Sequence, residues 1–270
     1  MNAHASKAQE SWRVVRFDAV DSTNDEARRR ALEGDSGRLW IVADRQTAGR
    51  GRRGRTWISS SGNLHASALL IDPCRPAISP QLGFVASVAL ARAAHDMDAN
   101  ARLKWPNDLI SDAGKCAGLL VEGVMLPSGG FGCIVGVGVN CASAPEGVGY
   151  PTSILVDRSG RAVSRDELLH RLIARFGEAL AEWSAGVGFA SVRAAWLQRA
   201  AGLGDRILVE TAGGGRRDGV FEGLDPDGRL LFRGDRGLET IEAGDIWIMA
   251  GTRDPSAATA SATLAREGRD

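Results

Sequence analysis

Between Arg45 and Trp57 the chain reads Arg-Gln-Thr-Ala-Gly-Arg-Gly-Arg-Arg-Gly-Arg-Thr-Trp, with five arginines, three glycines and no acid among them. Glycine frees the backbone and lets it approach a ligand closely. Each guanidinium offers a planar fork of donors that matches carboxylate or phosphate. The stretch therefore has the makings of a mobile anion clamp, whereas an ordinary solvated basic turn would carry acids to balance it. By itself it does not separate phosphate from carboxylate or nucleic acid.

Three further clusters could do chemistry. Lys104-Trp105-Pro106-Asn107-Asp108 sets a cation, a rigid turn, an amide and a carboxylate within five residues. Asn107 and Asp108 suit a magnesium-bound polyphosphate, since that ion prefers oxygen ligands and retains waters; a plain Pro-Asn-Asp turn is the structural alternative. Gly114-Lys115-Cys116-Ala117-Gly118 follows, through to Glu122, with a lysine between small residues. It lacks the spacing of a Walker phosphate loop, so Lys115 serves as a compact point charge for a carboxylate or a developing phosphoryl charge. Gly136-Val137-Gly138-Val139-Asn140 puts two glycines in a strand, where a ligand or another backbone comes close. It is not a Rossmann fingerprint, because the spacing is wrong and no helix follows.

Composition narrows the options. At 270 residues with a formal net charge of zero, the chain can bury a sizeable core, and its arginine run is a local feature of a surface that is not broadly basic. Lysine occurs only at positions 7, 104 and 115, every other cation except histidine being arginine, which suggests that lysine stands where it is needed. Cys74, Cys116, Cys133 and Cys141 form no CxxC pair, and the four histidines are scattered, so a protein-only zinc site is not expected. No apolar run approaches a membrane span and residues 1–11 lack a secretory signal, so a cytoplasmic location with reduced thiols is expected.

The elements that must position these clusters can be read from pattern. Trp12 to Val20 reads as a strand, Thr23 and Glu26 as a capping box opening a helix from Asn24 to Glu33, and Leu39 to Ala43 as a strand entering the arginine loop. The loop's far side is a buried strand within Asn63 to Ile71. Ser79 caps a helix over Leu82 to His95, with Pro80 in its first turn. Strands follow at Ala101 to Trp105, Lys115 to Met125 and Phe131 to Asn140, the last two as a hairpin. A second capping box, Ser164 to Glu167, opens a helix with Leu168, Leu169, Leu172, Ile173, Phe176, Leu180 and Trp183 on one side. A helix over Phe189 to Ala201 stops at Gly202 and Gly204. Short strands at 206–210, 219–224, 230–233 and 246–249 then suggest a small β-barrel, with Asp225-Pro226-Asp227-Gly228 as a turn and Trp247 as a structural residue. The expected layout is a flexible start (1–11), a catalytic domain (12–201), a barrel (202–250) and a disordered tail (251–270).

Taken in this order, Ser22-Thr23-Asn24, Gln46 with Gly49 to Gly54, Lys104 to Asp108, Gly114 to Gly118 with Glu122, and Gly136 to Asn140 resemble the biotin protein ligase family. The likeness is strong from about Phe17 to Asn140 and looser beyond. It implies an α+β fold: a mixed β-sheet flanked by helices, of the class II synthetase type, with a small C-terminal SH3-like β-barrel. Members that also repress transcription carry an N-terminal helix-turn-helix domain; only about a dozen residues precede the first strand here, which resembles the ligase-only form and implies no DNA partner.

The resemblance implies that biotin is activated by ATP with Mg2+ as biotinyl-5′-AMP and passed to a lysine of a biotin carboxyl carrier protein domain, with no membrane role, by a monomer or weak homodimer. No enzyme nucleophile is required, and none is obvious. Ser22, Thr23, Asn24 and Gln46 would line the biotin pocket, with Gly49, Gly51, Gly118, Gly136 and Gly138 allowing close approach. Arg50 and Arg52 would lie over carboxylate and phosphate, and Lys115 would reach the reacting oxygens. Arg53, Lys104, Asn107, Asp108 and Asn140 are matched to the nucleotide and its magnesium, and Trp57 to adenine. Asp108 would either deprotonate and orient the acceptor lysine, whose ordinary pKa is near 10.4, or fix the turn and nucleotide. Two other readings remain: a nucleic-acid-binding module, and lipoate ligation on the same fold, which would favour a more apolar pocket lining.

Overall fold

The computed structural model describes residues 11–211 and 215–253. The expected flexible start lies outside these residues except for Ser11, and so do residues 254–270 of the expected tail. Residues 251–253, placed in the expected tail, belong to the last strand, which runs from Gly244 to Arg253.

The first sheet has seven strands: β1 (Arg13–Val20), β2 (Leu39–Gln46), β3 (Leu64–Ile71), β4 (Arg102–Lys104), β5 (Asp108–Ser111), β6 (Gly114–Met125) and β7 (Phe131–Val139). Their order is β1-β2-β3-β7-β6-β5-β4, with β1 and β2 parallel and every other neighbouring pair antiparallel. The parallel pair needs a crossover, and α1 (Thr23–Leu32) supplies it. Strand β5 has no counterpart among the strands expected from pattern. Lys104 to Asp108 forms the corner of the hairpin β4-β5 and does not simply end a strand.

The two faces of this sheet are treated differently. Helices α2 (Gln81–His95), α3 (Arg165–Trp183) and α4 (Phe189–Leu197) pack one face into the main core, which includes Val135, Val137, Leu119, Leu168 and Phe176. Alanines 86, 89, 91, 93 and 94 of α2 are all buried and allow close approach. The other face is covered at one end by α1, through Ala27, Ala31, Leu69 and Ile134. Helix α1 starts one residue earlier than expected. Ser22, not Thr23, is the cap and accepts from Asp25 N at 3.5 Å, because the Thr23 side chain is engaged with Gln46 and Ser67. Ser79 likewise does not cap α2; its hydroxyl bonds Pro76 O and closes a short turn. Ser164 does cap α3.

The C-terminal strands correct the expected SH3-like β-barrel. Strands β8 (Asp205–Thr211), β9 (Arg216–Leu224), β10 (Leu230–Gly234), β11 (Gly237–Ile241) and β12 (Gly244–Arg253) form an open sheet in the order β11-β10-β9-β8-β12, with β11 and β12 as its two edges. The physical reason is where its apolar face goes. Phe221, Leu230, Phe232 and Ile246 join the main core, and Phe221 meets Trp196 of α4 at a 6.5 Å ring separation, while Trp196 meets Phe84 of α2 at 5.8 Å. A sheet that buries its face against helices gains nothing by closing on itself.

Candidate functional site

Where α1 stops covering the sheet, the floor is made of glycine. Gly138 pairs with Gly118 on one side and His65 on the other, and Gly136 pairs with Leu120 and Ser67. The absent side chains leave a trough, and the N-terminus of α1 borders it. Ser22, Thr23, Asn24 and Gln46 line one end of the cleft; Arg50, Gly51, Arg52 and Trp57 lie above it; Asn107, Lys115 and Gly118 close the other end.

The α1 end is a connected polar network. Thr23 N and its hydroxyl bond Gln46 Oε1 at 2.8 and 3.1 Å, and Gln46 Nε2 donates to Ser59 Oγ at 2.9 Å. Ser67 Oγ lies 2.7 Å from Thr23 Oγ1 and 2.6 Å from Asn24 Oδ1, and Asn24 Nδ2 donates to Glu122 Oε2 at 2.7 Å. Buried polar groups are tolerated when mutually satisfied. A Cβ on Gly136 would collide with Asn24 Oδ1, so this glycine is what lets the amide lie on the floor.

Contacts along its length hold the loop. Arg50 pairs with both oxygens of Asp25 at 2.5 and 2.7 Å and reaches Glu122 at 3.7 Å. That guanidinium holds the Asp25 carboxyl below the usual carboxylate range and is itself raised. Gly49 sits at the loop base, where a Cβ would stand 2.7 Å from Trp57 O and 2.9 Å from Gln46 Nε2. Arg52 donates to Asn107 Oδ1 at 3.2 Å, and burial pushes its guanidinium down from the ordinary arginine value. The Trp57 indole lies on the glycine floor, since a Cβ on Gly138 would stand 2.5 Å from its ring, and its Nε1 is buried without a partner.

Lys115 is the hub of the other end. Its Nζ is 2.7 Å from Asp108 Oδ1 and lies over the Trp57 and Tyr150 rings at 5.8 and 5.5 Å. Lys104 stands opposite Asp108 in the β4-β5 pair, and burial lowers its pKa. Lys104 and Asp108 border an adjoining cleft shared with Lys115, Tyr150 and Asp245. Asn140 borders a small recess beside Trp57; its Nδ2 donates to Lys115 O and Ser153 O, and its Oδ1 is buried without a partner. Arg53 points away, to Asp245. Among the described residues no cluster of three or more His, Cys, Asp or Glu side chains could hold a metal by itself, and no helix is long and apolar enough to cross a membrane.

Sequence reasoning missed Ser67, Asp25, Tyr150 and Asp245. Ser67 was detectable as a polar residue within the otherwise apolar run from Ala66 to Ile71, and Tyr150 as the chain's only tyrosine. Asp25 and Asp245 carried no local signal. Trp105 is buried and donates to Gly228 O at 3.2 Å, and Cys116 is buried, both as packing residues. Trp247, whose pattern reads as structural, is 37% exposed.

The model of the biotin/lipoate A/B protein ligase family matches residues 16–140, and that of the biotin protein ligase C-terminal domain matches residues 202–249. The chain is 41% identical over 242 residues to the biotin--[acetyl-CoA-carboxylase] ligase of Paracoccus denitrificans, covering 85% of this chain and 98% of the relative. It is 32% identical over 237 residues to the bifunctional ligase/repressor BirA of Escherichia coli, covering 86% of this chain and 73% of that one. Among solved structures it is similar to the biotin protein ligase from Aquifex aeolicus in complex with biotin and ATP, with a TM-score of 0.73 and 28% identity over 88% of this chain and 99% of the other.

Proposed function

The chain belongs to the biotin protein ligases of the biotin/lipoate A/B protein ligase family, and on that premise we propose how its residues divide the work of forming biotinyl-5′-AMP and transferring biotin to a carrier lysine. The observation that carries this reading is that residues from clusters far apart in sequence line one cleft over a glycine floor. Thr23, Asn24 and Gln46, backed by Ser67, offer donors and acceptors to the ureido ring. A ureido ring can exchange hydrogen bonds with this network, whereas an apolar dithiolane can offer it none, which favours biotin over lipoate.

In the first step the biotin carboxylate attacks the α-phosphorus of ATP; a carboxyl O–P bond forms, the bond to the β-phosphate bridge breaks, and pyrophosphate leaves. Arg50, Arg52 and Lys115 offset the repulsion between the two anions. The unpartnered Oδ1 of Asn140 is an oxygen donor that would fit a magnesium ion brought by the nucleotide, while Asp108 is held by Lys115. When bound, that ion neutralises polyphosphate charge. In the second step the acceptor amine attacks the activated carboxyl carbon, a C–N bond forms, the C–O bond breaks and AMP leaves. With Lys115 drawn to phosphate, Asp108 is free to take the amine proton. The acceptor is the carrier domain of a biotin-dependent carboxylase.

Biotin-dependent ATP–pyrophosphate exchange tests the reading, with lipoate run in parallel. Exchange is expected with biotin and not with lipoate, and equal exchange with lipoate would overturn the assignment of the pocket. The loop has its own test. Arg52→Ala removes the contacts to Asn107 and the C-terminal sheet, so escape of adenylate into solution, measured by filtration of enzyme loaded with labelled biotin, is expected to rise about tenfold. Unchanged retention would mean that the loop does not act as a lid.

A further inference from the structure

Three guanidiniums at the tip of the arginine loop converge on one carboxylate that the two chemical steps leave unused. Asp245, second residue of β12, has Oδ1 3.2 Å from Arg55 Nη2 and 3.8 Å from Arg52 Nη1, and Oδ2 3.4 Å from Arg53 Nη1. Arg52 Nη1 also lies 3.4 Å from Gly244 O. The tip itself is a tight turn: Gly51 N donates to Arg55 O at 2.7 Å, and Arg53 and Gly54 take left-handed φ values of 56° and 71°.

We infer that Asp245 is a positioning residue for the nucleotide step, through which the open C-terminal sheet holds the arginine tip in its binding-ready shape before ATP arrives. The inference rests on the proposed function above. Three like charges packed into four residues repel one another, and Arg53, a non-glycine residue, is held in the left-handed region. A single exposed ion pair would add little. Here one carboxylate, 24% exposed, joins three arginines, of which Arg52 is only 20% exposed. Each guanidinium has five N–H donors, whereas a carboxylate has two acceptor oxygens. Asp245 can therefore orient the tip and still leave donors for phosphate. The C-terminal sheet thereby becomes part of the site, because β12 is an edge strand and its first residues are free to meet the loop.

Two measurements on the full chain decide between this and a merely structural ion pair. In the ligand-free protein, trypsin cleavage after Arg52, Arg53 and Arg55, followed by peptide mapping, is expected to be about tenfold faster in Asp245→Ala than in wild type, and near wild type in Asp245→Glu, because cleavage follows the population of the open tip. In the exchange assay, the ATP KM of Asp245→Ala should rise about tenfold with kcat and the biotin KM within about twofold, since Asp245 touches the tip and not Arg50; Asp245→Glu should restore it. A general loss of structure would move both KM values and the melting temperature together, and Asp245→Asn, of the same size, provides a second variant should alanine fail to fold. Unchanged tip cleavage, or a lowered ATP KM, would overturn the inference, the latter because Asp245 would then compete with phosphate. If wild type gave no biotin-dependent exchange, the functional reading would fall, while the cleavage comparison would still decide whether Asp245 holds the tip.

Discussion

Lys115→Ala is expected to slow adenylate formation by about 10²–10³-fold, the usual cost of removing a preorganised charge aimed at a reacting oxygen. The loss should appear in kcat and in kcat/KM alike, because the ammonium acts where charge develops. Its Nζ is held by one carboxylate and two aromatic faces, so it is oriented before substrate arrives. The fold should survive: Lys115 sits at the start of β6, is 18% exposed, and has no apolar packing role comparable with Leu119 or Val137. Arginine at this position should not rescue, since a planar fork does not place its charge as a compact ammonium does. Rapid-quench measurement of biotinyl-AMP decides the matter, and a wild-type rate in Lys115→Ala would remove it from the mechanism.

The two glycines of β7 are expected to fail in different ways. In Gly136→Ala the new methyl meets Asn24 Oδ1, and Asn24 cannot retreat without breaking its bonds to Ser67 and Glu122. Breaking a buried hydrogen-bond network costs about 1–3 kcal/mol per group left unpaired, which corresponds to roughly 5- to 150-fold in affinity. That loss should fall on the biotin KM. In Gly138→Ala the methyl displaces the Trp57 indole from the floor, and the loss should fall mainly on the ATP KM. Titrating exchange against each substrate separates the two. If both variants raised both constants equally, the floor would be a single packing surface and not two subsites.

Much of this was legible locally. The strand-to-strand placement of the arginine loop, the hairpin β6-β7, the capped amphipathic α3 and the alanine-rich α2 all rest on period and on turn or cap chemistry, which act over a few residues. Errors came where a distant partner outbid a local rule. Thr23 fits a capping box, yet Gln46 and Ser67 claim its hydroxyl and Ser22 caps instead. The short strand β5 has only four residues, too few for a period to declare itself.

By itself the sequence determined which chemistries were available: arginines and glycines without acids for anions, a lysine in a chain that otherwise prefers arginine, and glycines in a strand for close approach. These are properties of residue type and spacing, and they survive any arrangement of the chain. Tertiary structure alone decided that the C-terminal strands remain an open sheet, because Phe221 found Trp196 of α4 to pack against. It alone placed Asp108 against Lys115, Ser67 beneath Asn24, and Asp245 against the arginine tip across a separation of 190 residues from Arg55. Such pairings depend on sheet order and on which face each strand turns inward, and neither is written in a short window of residues.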